Sequence, residues 1–212
     1  MDNTIDFLDD NFKVVFIDDN FSEHEPLVQA VRKNYPSADY KHIFKNPKEG
    51  LEFVLSNLDS KMIVFIDWNF DTYREKGIDL LKAIRQKTSL LYIVMMSANK
   101  LGSDIPLEEV IYMMNEENFF YLDKNAGVFE TSKIIIDKIC SHWKKDFDCI
   151  LEQWLVKHPE DNYKEAYSEV STGKKYTWFD ILKELRLQSP VGKDFENKLN
   201  EYYIYQLKRA KK

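Results

Sequence analysis

Polar side chains that suit phosphate chemistry follow short apolar runs in the first 130 residues of this 212-residue chain. Asp18 and Asp19 follow the run KVVFI, and Asp67 ends the run MIVFID. Ser97 and Lys124 close two later runs. Carboxylates are ligands that a hard divalent cation prefers, and a lysine ammonium pairs with phosphoryl oxygens. The set therefore predicts a site for a divalent cation and a phosphoryl group.

The elements that must position these residues are strands alternating with amphipathic helices. Near-continuous apolar strands separated by helices indicate a parallel sheet covered on both faces. Right-handed crossovers then give an α/β, doubly wound, five-stranded parallel sheet of the flavodoxin-like type, whose ligand crevice lies at the carboxyl ends of the strands. The predicted strands lie near residues 13–18, 40–44, 62–67, 90–97 and 119–123.

In its order of residues, the segment of roughly 12–130 resembles the receiver domain of bacterial response regulators. That family has an acidic pair after the first strand, an aspartate after the third, a hydroxyl residue followed by a small one after the fourth, and a lysine after the fifth. It also has an aromatic residue three positions before that lysine. The matching positions in this sequence are Asp18, Asp19, Asp67, Ser97, Ala98, Lys124 and Tyr121.

The resemblance implies a cofactor, Mg2+, and a way to hold it. Asp19 and Asp67 would bind the ion directly, the backbone carbonyl of Asn69 would add a third ligand, and Asp18 would act through water. Two carboxylates, a carbonyl and water suit an ion that tolerates few all-protein cages.

The resemblance also implies that Asp67 accepts a phosphoryl group from a sensor histidine kinase. Lys124, the hydroxyl of Ser97 and the backbone amide of Ala98 would hold the phosphoryl oxygens. Movement of Ser97 toward the phosphate would let Tyr121 turn inward and change the surface. The protein would be a switch that catalyses only its own phosphorylation and dephosphorylation.

Two features depart from that family. The loop after Asp67 reaches Gly77 later than usual and lacks the common Met-Pro pair. Asn125 stands after Lys124 where the family generally has a proline in a cis peptide bond, so we expect a trans bond and a shift of the lysine.

Two other functions fit the same residues. A receiver-shaped interaction module would carry no phosphate and would show no magnesium-dependent response. A magnesium-dependent phosphohydrolase also uses an aspartyl nucleophile at a strand end, but it usually needs a second acid two residues later, where this chain has Asn69.

The charge and hydropathy of the sequence indicate where in the cell the protein is expected and which classes of partner are disfavoured. Residues 1–130 carry 23 acidic and 14 basic groups, and residues 131–212 carry 13 acidic and 16 basic groups. An acidic first part argues against nucleic acid as its partner and suits a cation site. The chain has no apolar stretch of membrane-spanning length, and its start, MDNTIDFLDD, does not resemble a secretory signal. We therefore expect a cytoplasmic protein without a membrane partner.

Residues 131–158 are predicted to form one long connecting helix that ends before Pro159. Alternating spacings of four and three residues mark a coiled-coil seam on it. Either this seam pairs with a second copy, or the C-terminal helices of the same chain cover it. The seam residues are Ile136, Cys140, Trp143, Phe147, Ile150 and Trp154.

Residues 159–212 are predicted to form three short helices that make up a small, all-α output or interaction region. Thr177 and Asp180 have the spacing of a helix start. The region offers a second route to a homodimer. A DNA-reading helix-turn-helix is less favoured, because Asp194, Glu196 and Glu201 lie among the basic residues of the last helix.

Overall fold

The computed structural model of the protein describes residues 12–210. The acidic first ten residues, on which the expectation of no secretory signal rests, lie outside this range. The chain divides into two compact units between Ile139 and Cys140. Within residues 12–210, no helix combines the length and the apolar character needed to cross a membrane.

The first unit contains the five predicted strands. They are β1 (Lys13–Ile17), β2 (Asp39–Phe44), β3 (Met62–Asp67), β4 (Tyr92–Ser97) and β5 (Phe119–Asp123). All pairs are parallel, and the order across the sheet is β2-β1-β3-β4-β5. Every residue of β3 and β4 is buried, as a parallel sheet covered on both faces requires.

Helices connect consecutive strands of this sheet. They are α1 (Pro26–Asn34), α2 (Pro47–Ser56), α3 (Gly77–Arg85) and α4 (Leu107–Met114), and α5 (Val128–Trp143) follows β5. The strand order reverses at β1, which has β2 on one side and β3 on the other. A crevice therefore opens at the carboxyl ends of β1 and β3, as the alternation of strands and helices predicts.

The predicted continuous helix over 131–158 is wrong. Helix α5 ends at Trp143, and a separate helix, α6 (Phe147–Lys157), begins after Asp146. In α6 the buried side is formed by Leu151 and Leu155, whereas Ile150 and Trp154 of the predicted seam are exposed. The regular spacing continues across the break because a periodic pattern does not record where a helix stops.

The first of the three predicted C-terminal helices is also wrong. Residues Glu165–Ser168 (β6) pair antiparallel with Lys175–Thr177 (β7) in a hairpin. Gly173 lies in the turn with φ +70°, a conformation that glycine adopts easily. The region is therefore mainly helical with one small sheet, and the sequence STG was a turn signal that the helical prediction overlooked.

The other two predicted helices are present as α7 (Trp178–Arg186) and α8 (Pro190–Ala210). Thr177 caps α7 as predicted, because its side chain accepts a hydrogen bond from the backbone N–H of Asp180 and the carboxylate of Asp180 accepts one from the backbone N–H of Thr177. The second unit has its own apolar core, formed by Leu151, Leu155, Tyr176, Ile181, Leu182, Leu185 and Phe195.

Candidate functional site

Three carboxylates meet at the carboxyl edge of the first sheet. Asp18 follows β1 and is fully buried, Asp67 is the last residue of β3 and is 8% exposed, and Asp19 is partly exposed. One carboxylate oxygen from each of these residues lies within 4.8 Å of the others. The topology thus brings together side chains that are about fifty positions apart in the sequence.

Lys124 supplies the positive charge that this cluster needs. Its Nζ lies 2.8 Å from Oδ2 of Asp18 and 2.9 Å from Oδ1 of Asp67. The ammonium also lies 5.4 Å from the ring centroid of Phe21. One cation therefore bridges two buried carboxylates and leaves the cluster with net negative charge.

Burial and the charge of Lys124 have opposite effects on the pKa of Asp67. Burial raises the pKa of Asp67 to about 6, and the negative charge of Asp18 adds to this effect, although Lys124 acts against it. Desolvation by itself would lower the pKa of Lys124, but the hydrogen bonds and charges of Asp18 and Asp67 outweigh it, so that pKa is raised. The lysine stays protonated, and a further cation would favour the ionised form of Asp67.

The donor set fits Mg2+. Carboxylate oxygens are the hard ligands that this ion prefers, and the cluster lies at an edge where water can complete the coordination. The acidic cluster is therefore compatible with Mg2+ binding.

Asn20 holds the acidic pair in place. Its backbone N–H donates to Oδ1 of Asp18 at 2.9 Å. Its side-chain amide donates to Oδ1 of Asp19 and to Oδ2 of Asp71, both at 3.2 Å. The backbone N–H of Thr72 donates to Oδ2 of Asp19 at 3.3 Å. Sequence reasoning missed Asn20 and Asp71, because the contact joins two loops that lie far apart in the sequence.

The unusual loop after Asp67 returns close to where it began. The backbone N–H of Gly77 donates to the carbonyl of Trp68 at 2.9 Å. A Cβ atom at Gly77 would lie 2.3 Å from the carbonyl oxygen of Asp67 and 2.8 Å from Sδ of Met95. Asn69 forms an isolated antiparallel bridge with Lys76 and has an exposed side chain. The longer loop is thus accommodated without moving Asp67 from the strand end.

Ser97 and Tyr121 lie on neighbouring strands. Oγ of Ser97 accepts a hydrogen bond from the backbone N–H of Asn99 at 2.9 Å, and the hydroxyl of Tyr121 donates to the carbonyl of Asn99 at 2.8 Å. Burial raises the pKa of Tyr121, and a hydrogen bond with Ser97 acts against it. The two side chains are therefore coupled through the loop that follows β4.

Asn125 stands at the position where the family named in the sequence analysis generally has a proline. The peptide bond after Lys124 is trans, as predicted. Nδ2 of Asn125 donates to the carbonyl of Ala98 at 2.6 Å. The backbone N–H of Lys124 donates to the carbonyl of Ser97 at 2.8 Å. These bonds tie the loops after β4 and β5 together, and the ammonium of Lys124 still reaches both carboxylates.

Neither a protein-family model nor a curated protein matches this chain. Many solved structures that resemble it are receiver domains of response regulators. A CheY-like receiver domain protein from Methanospirillum hungatei JF-1 is 14% identical over 65% of this chain and 100% of that chain, with a TM-score of 0.48. A receiver domain protein from Clostridium thermocellum is 21% identical over 63% of this chain and 97% of that chain, with a TM-score of 0.48.

The chemotaxis protein CheY4 from Vibrio cholerae is 16% identical over 61% of this chain and 98% of that chain, with a TM-score of 0.46. At such identities, likeness concerns the fold. The strand order β2-β1-β3-β4-β5, with helices between consecutive strands, is one of the two common orders of doubly wound parallel sheets. The first unit of this protein has the flavodoxin-like, doubly wound α/β fold.

Proposed function

We propose that this protein is a two-component response regulator in which Asp67 accepts a phosphoryl group from the phosphohistidine of a sensor histidine kinase. The observation that carries the proposal is the position of the Lys124 ammonium, which bridges Asp18 and Asp67 at the carboxyl edge of a receiver fold. Here three carboxylates and one ammonium converge, which suits a site that takes up both a cation and a phosphoryl group.

The transfer is a displacement at phosphorus. A carboxylate oxygen of Asp67 forms the new P–O bond while the P–N bond to the donor imidazole breaks, and the imidazole nitrogen keeps the electron pair. The ionised carboxylate is a much better nucleophile than the protonated one, and because the pKa of Asp67 is about 6, most of the group is ionised at neutral pH. Positioned charge does most of the remaining work in such reactions.

The surrounding side chains would stabilise the product. Lys124 would turn from the Asp67 carboxylate to the phosphoryl oxygens, and the hydroxyl of Ser97 and the backbone N–H of Ala98 would donate to them. Asp18, Asp19 and Asp67, with the carbonyl of Asn69, would hold Mg2+, which neutralises phosphoryl oxygens when bound. Because Ser97 and Tyr121 both form hydrogen bonds with Asn99, movement of Ser97 would be passed to the ring of Tyr121.

We further propose that the second unit is the output, a protein-interaction or dimerisation module, and that the protein is a switch without turnover of a small substrate. The absence of an acid at Asn69, two residues after Asp67, argues against a phosphohydrolase.

The test is the intact mass of the protein after incubation with acetyl phosphate and Mg2+. We expect a gain of one phosphoryl group that depends on Mg2+. Asp67→Asn, which keeps the size of the side chain, should abolish the gain. Asp123→Asn, which changes a carboxylate at the end of β5 outside the cluster, should retain it.

A gain that persists in Asp67→Asn would contradict the assignment of the acceptor. No gain in a folded wild-type protein would favour the phosphate-independent interaction module. Release of phosphate from a small ester at a steady rate would favour the phosphohydrolase.

A further inference from the structure

The C-terminal part of α8 exposes large apolar side chains. Helix α8 contributes Phe195 to the core of the second unit, and Val191 and Leu199 pack against that core. Beyond Leu199 the helix continues to Ala210, and five of its large side chains are between 54% and 64% exposed. We call residues 201–209 the α8 tip. Its exposed large side chains are Tyr202, Tyr203, Ile204, Tyr205 and Leu207.

These side chains surround the helix. Four of them occupy consecutive positions, and consecutive residues of an α-helix point in directions about 100° apart. A helix with so many large apolar side chains is normally covered on at least one side. Five such side chains, each more than half exposed, present roughly 500 Å2, which on a monomer is the size of an interaction surface.

The charges at the two ends of the tip indicate what covers it. Glu201 and Lys208 flank the apolar run and are seven residues apart, so they lie on the same side of the helix. The two residues have opposite charges. A copy of the tip that runs in the opposite direction would place its Lys208 beside Glu201, and its Glu201 beside Lys208.

This arrangement has a twofold axis between Ile204 and Tyr205. A twofold contact uses the same surface on both subunits, so each favourable ion pair occurs twice. A parallel arrangement would instead place like charges at equal heights. The charge pattern of the tip therefore fits an antiparallel second copy.

We propose that the α8 tip is a self-association surface that binds the α8 tip of a second copy of this chain in antiparallel orientation. Each tip offers less than the about 800 Å2 per partner of a standard interface, so the association depends on concentration in the micromolar range. The contact uses the second unit alone, and it is independent of the phosphoryl chemistry proposed for Asp67.

The first experiment is sedimentation equilibrium of the full chain over a range of concentrations. We expect the wild-type mass to rise from monomer to dimer, and Ile204→Glu combined with Leu207→Glu to stay monomeric. The control combines Val156→Glu with Val170→Glu, which adds the same charge at two exposed valines of the second unit. The control should associate like the wild type. All of these positions are exposed, so circular dichroism should show an unchanged fold.

The second experiment tests the orientation. Glu201→Lys alone and Lys208→Glu alone should each weaken association roughly tenfold, because each change disrupts two symmetry-related ion pairs. The double variant with both changes should restore it. A wild-type monomer at every concentration would overturn the proposal, as would association that survives Ile204→Glu with Leu207→Glu. Single charge reversals without effect would overturn the antiparallel arrangement.

Discussion

Lys124 and Asp67 form an ion pair at the carboxyl edge of the five-stranded sheet, with Nζ of the lysine 2.9 Å from Oδ1 of the aspartate. The same ammonium also binds Asp18, which is fully buried. Lys124 therefore divides its charge between two carboxylates. It offsets only part of the free-energy cost of burying the ionised form of Asp67. This incomplete compensation explains why the pKa of Asp67 is raised although a cation is in contact with it.

The stability of the protein should depend on pH through Asp67. Its pKa is about 6 in the folded state and about 3.9 when unfolded, so the folded state holds the proton more tightly. The free energy of unfolding therefore falls as pH rises from about 4 to about 6, and the loss is complete above that range. At pH 8, Asp67→Asn should be more stable than the wild type by about 3 kcal/mol.

Urea unfolding at pH 4 and at pH 8 measures this difference, which should nearly vanish at the lower pH. Glu52→Gln, an exposed glutamate on α2, controls for the loss of one negative charge. A stabilisation by Asp67→Asn that is equal at both pH values would contradict the explanation.

Asn20 should affect cation binding without being a ligand through its side chain. Asn20→Ala removes the amide that joins Asp19 to Asp71, so the carboxylate of Asp19 loses a fixed orientation. We expect the affinity for Mg2+, measured by titration calorimetry, to fall roughly tenfold, as is typical when a partner of a ligand is lost.

Asn115→Ala is the control for that measurement, because its amide donates to the carbonyl of Ile111 at the end of α4. It should leave the affinity unchanged. Equal affinities of the wild type and Asn20→Ala would show that Asp19 is held without the amide.

Gly77 should tolerate no larger residue. The Cβ of alanine would overlap the carbonyl oxygen of Asp67 at 2.3 Å, so the backbone beside the acidic cluster would have to move. We expect Gly77→Ala to lower the free energy of unfolding by about 3 kcal/mol in urea. Gly102→Ala meets no atom within 4 Å but has φ +81°, and should lower it by only about 1 kcal/mol. Equal effects at the two glycines would contradict the steric explanation.

Arg186 should be essential to the second unit. This arginine is 6% exposed, and its guanidinium binds Asp148 at 3.1 Å and Glu152 at 3.0 Å, which joins α7 to α6. Arg186→Met would leave two carboxylates without their cation and should cost about 3–5 kcal/mol. Hydrogen exchange of residues 147–199 would report the loss.

Lys183→Met, an exposed lysine of the same helix, is the control and should leave the exchange unchanged. Arg186→Lys should recover only part of the protection, since an ammonium lacks the planar fork that reaches two partners. Full protection in Arg186→Met would show that apolar packing alone holds α7 to α6.

Much of the fold of the first unit could be predicted from the sequence, because short stretches of sequence indicate each of its strands and helices. The runs ending at Asp67 and Ser97 are apolar without interruption, and this pattern indicates buried parallel strands. Once such strands alternate with helices, the handedness of the crossovers leaves few topologies, so the convergence of Asp18, Asp67 and Lys124 at one edge follows.

Only the tertiary structure decided how these groups are connected. The bridge from Lys124 to two carboxylates, and the amide of Asn20 between Asp19 and Asp71, depend on distances between loops that the sequence does not encode locally. The same reason explains the errors after Trp143. A helical period continues through a break, and the strand Glu165–Ser168 exists only because a partner strand follows the turn at Gly173. Pairing between distant segments is a property of the folded chain, and no window of local sequence contains it.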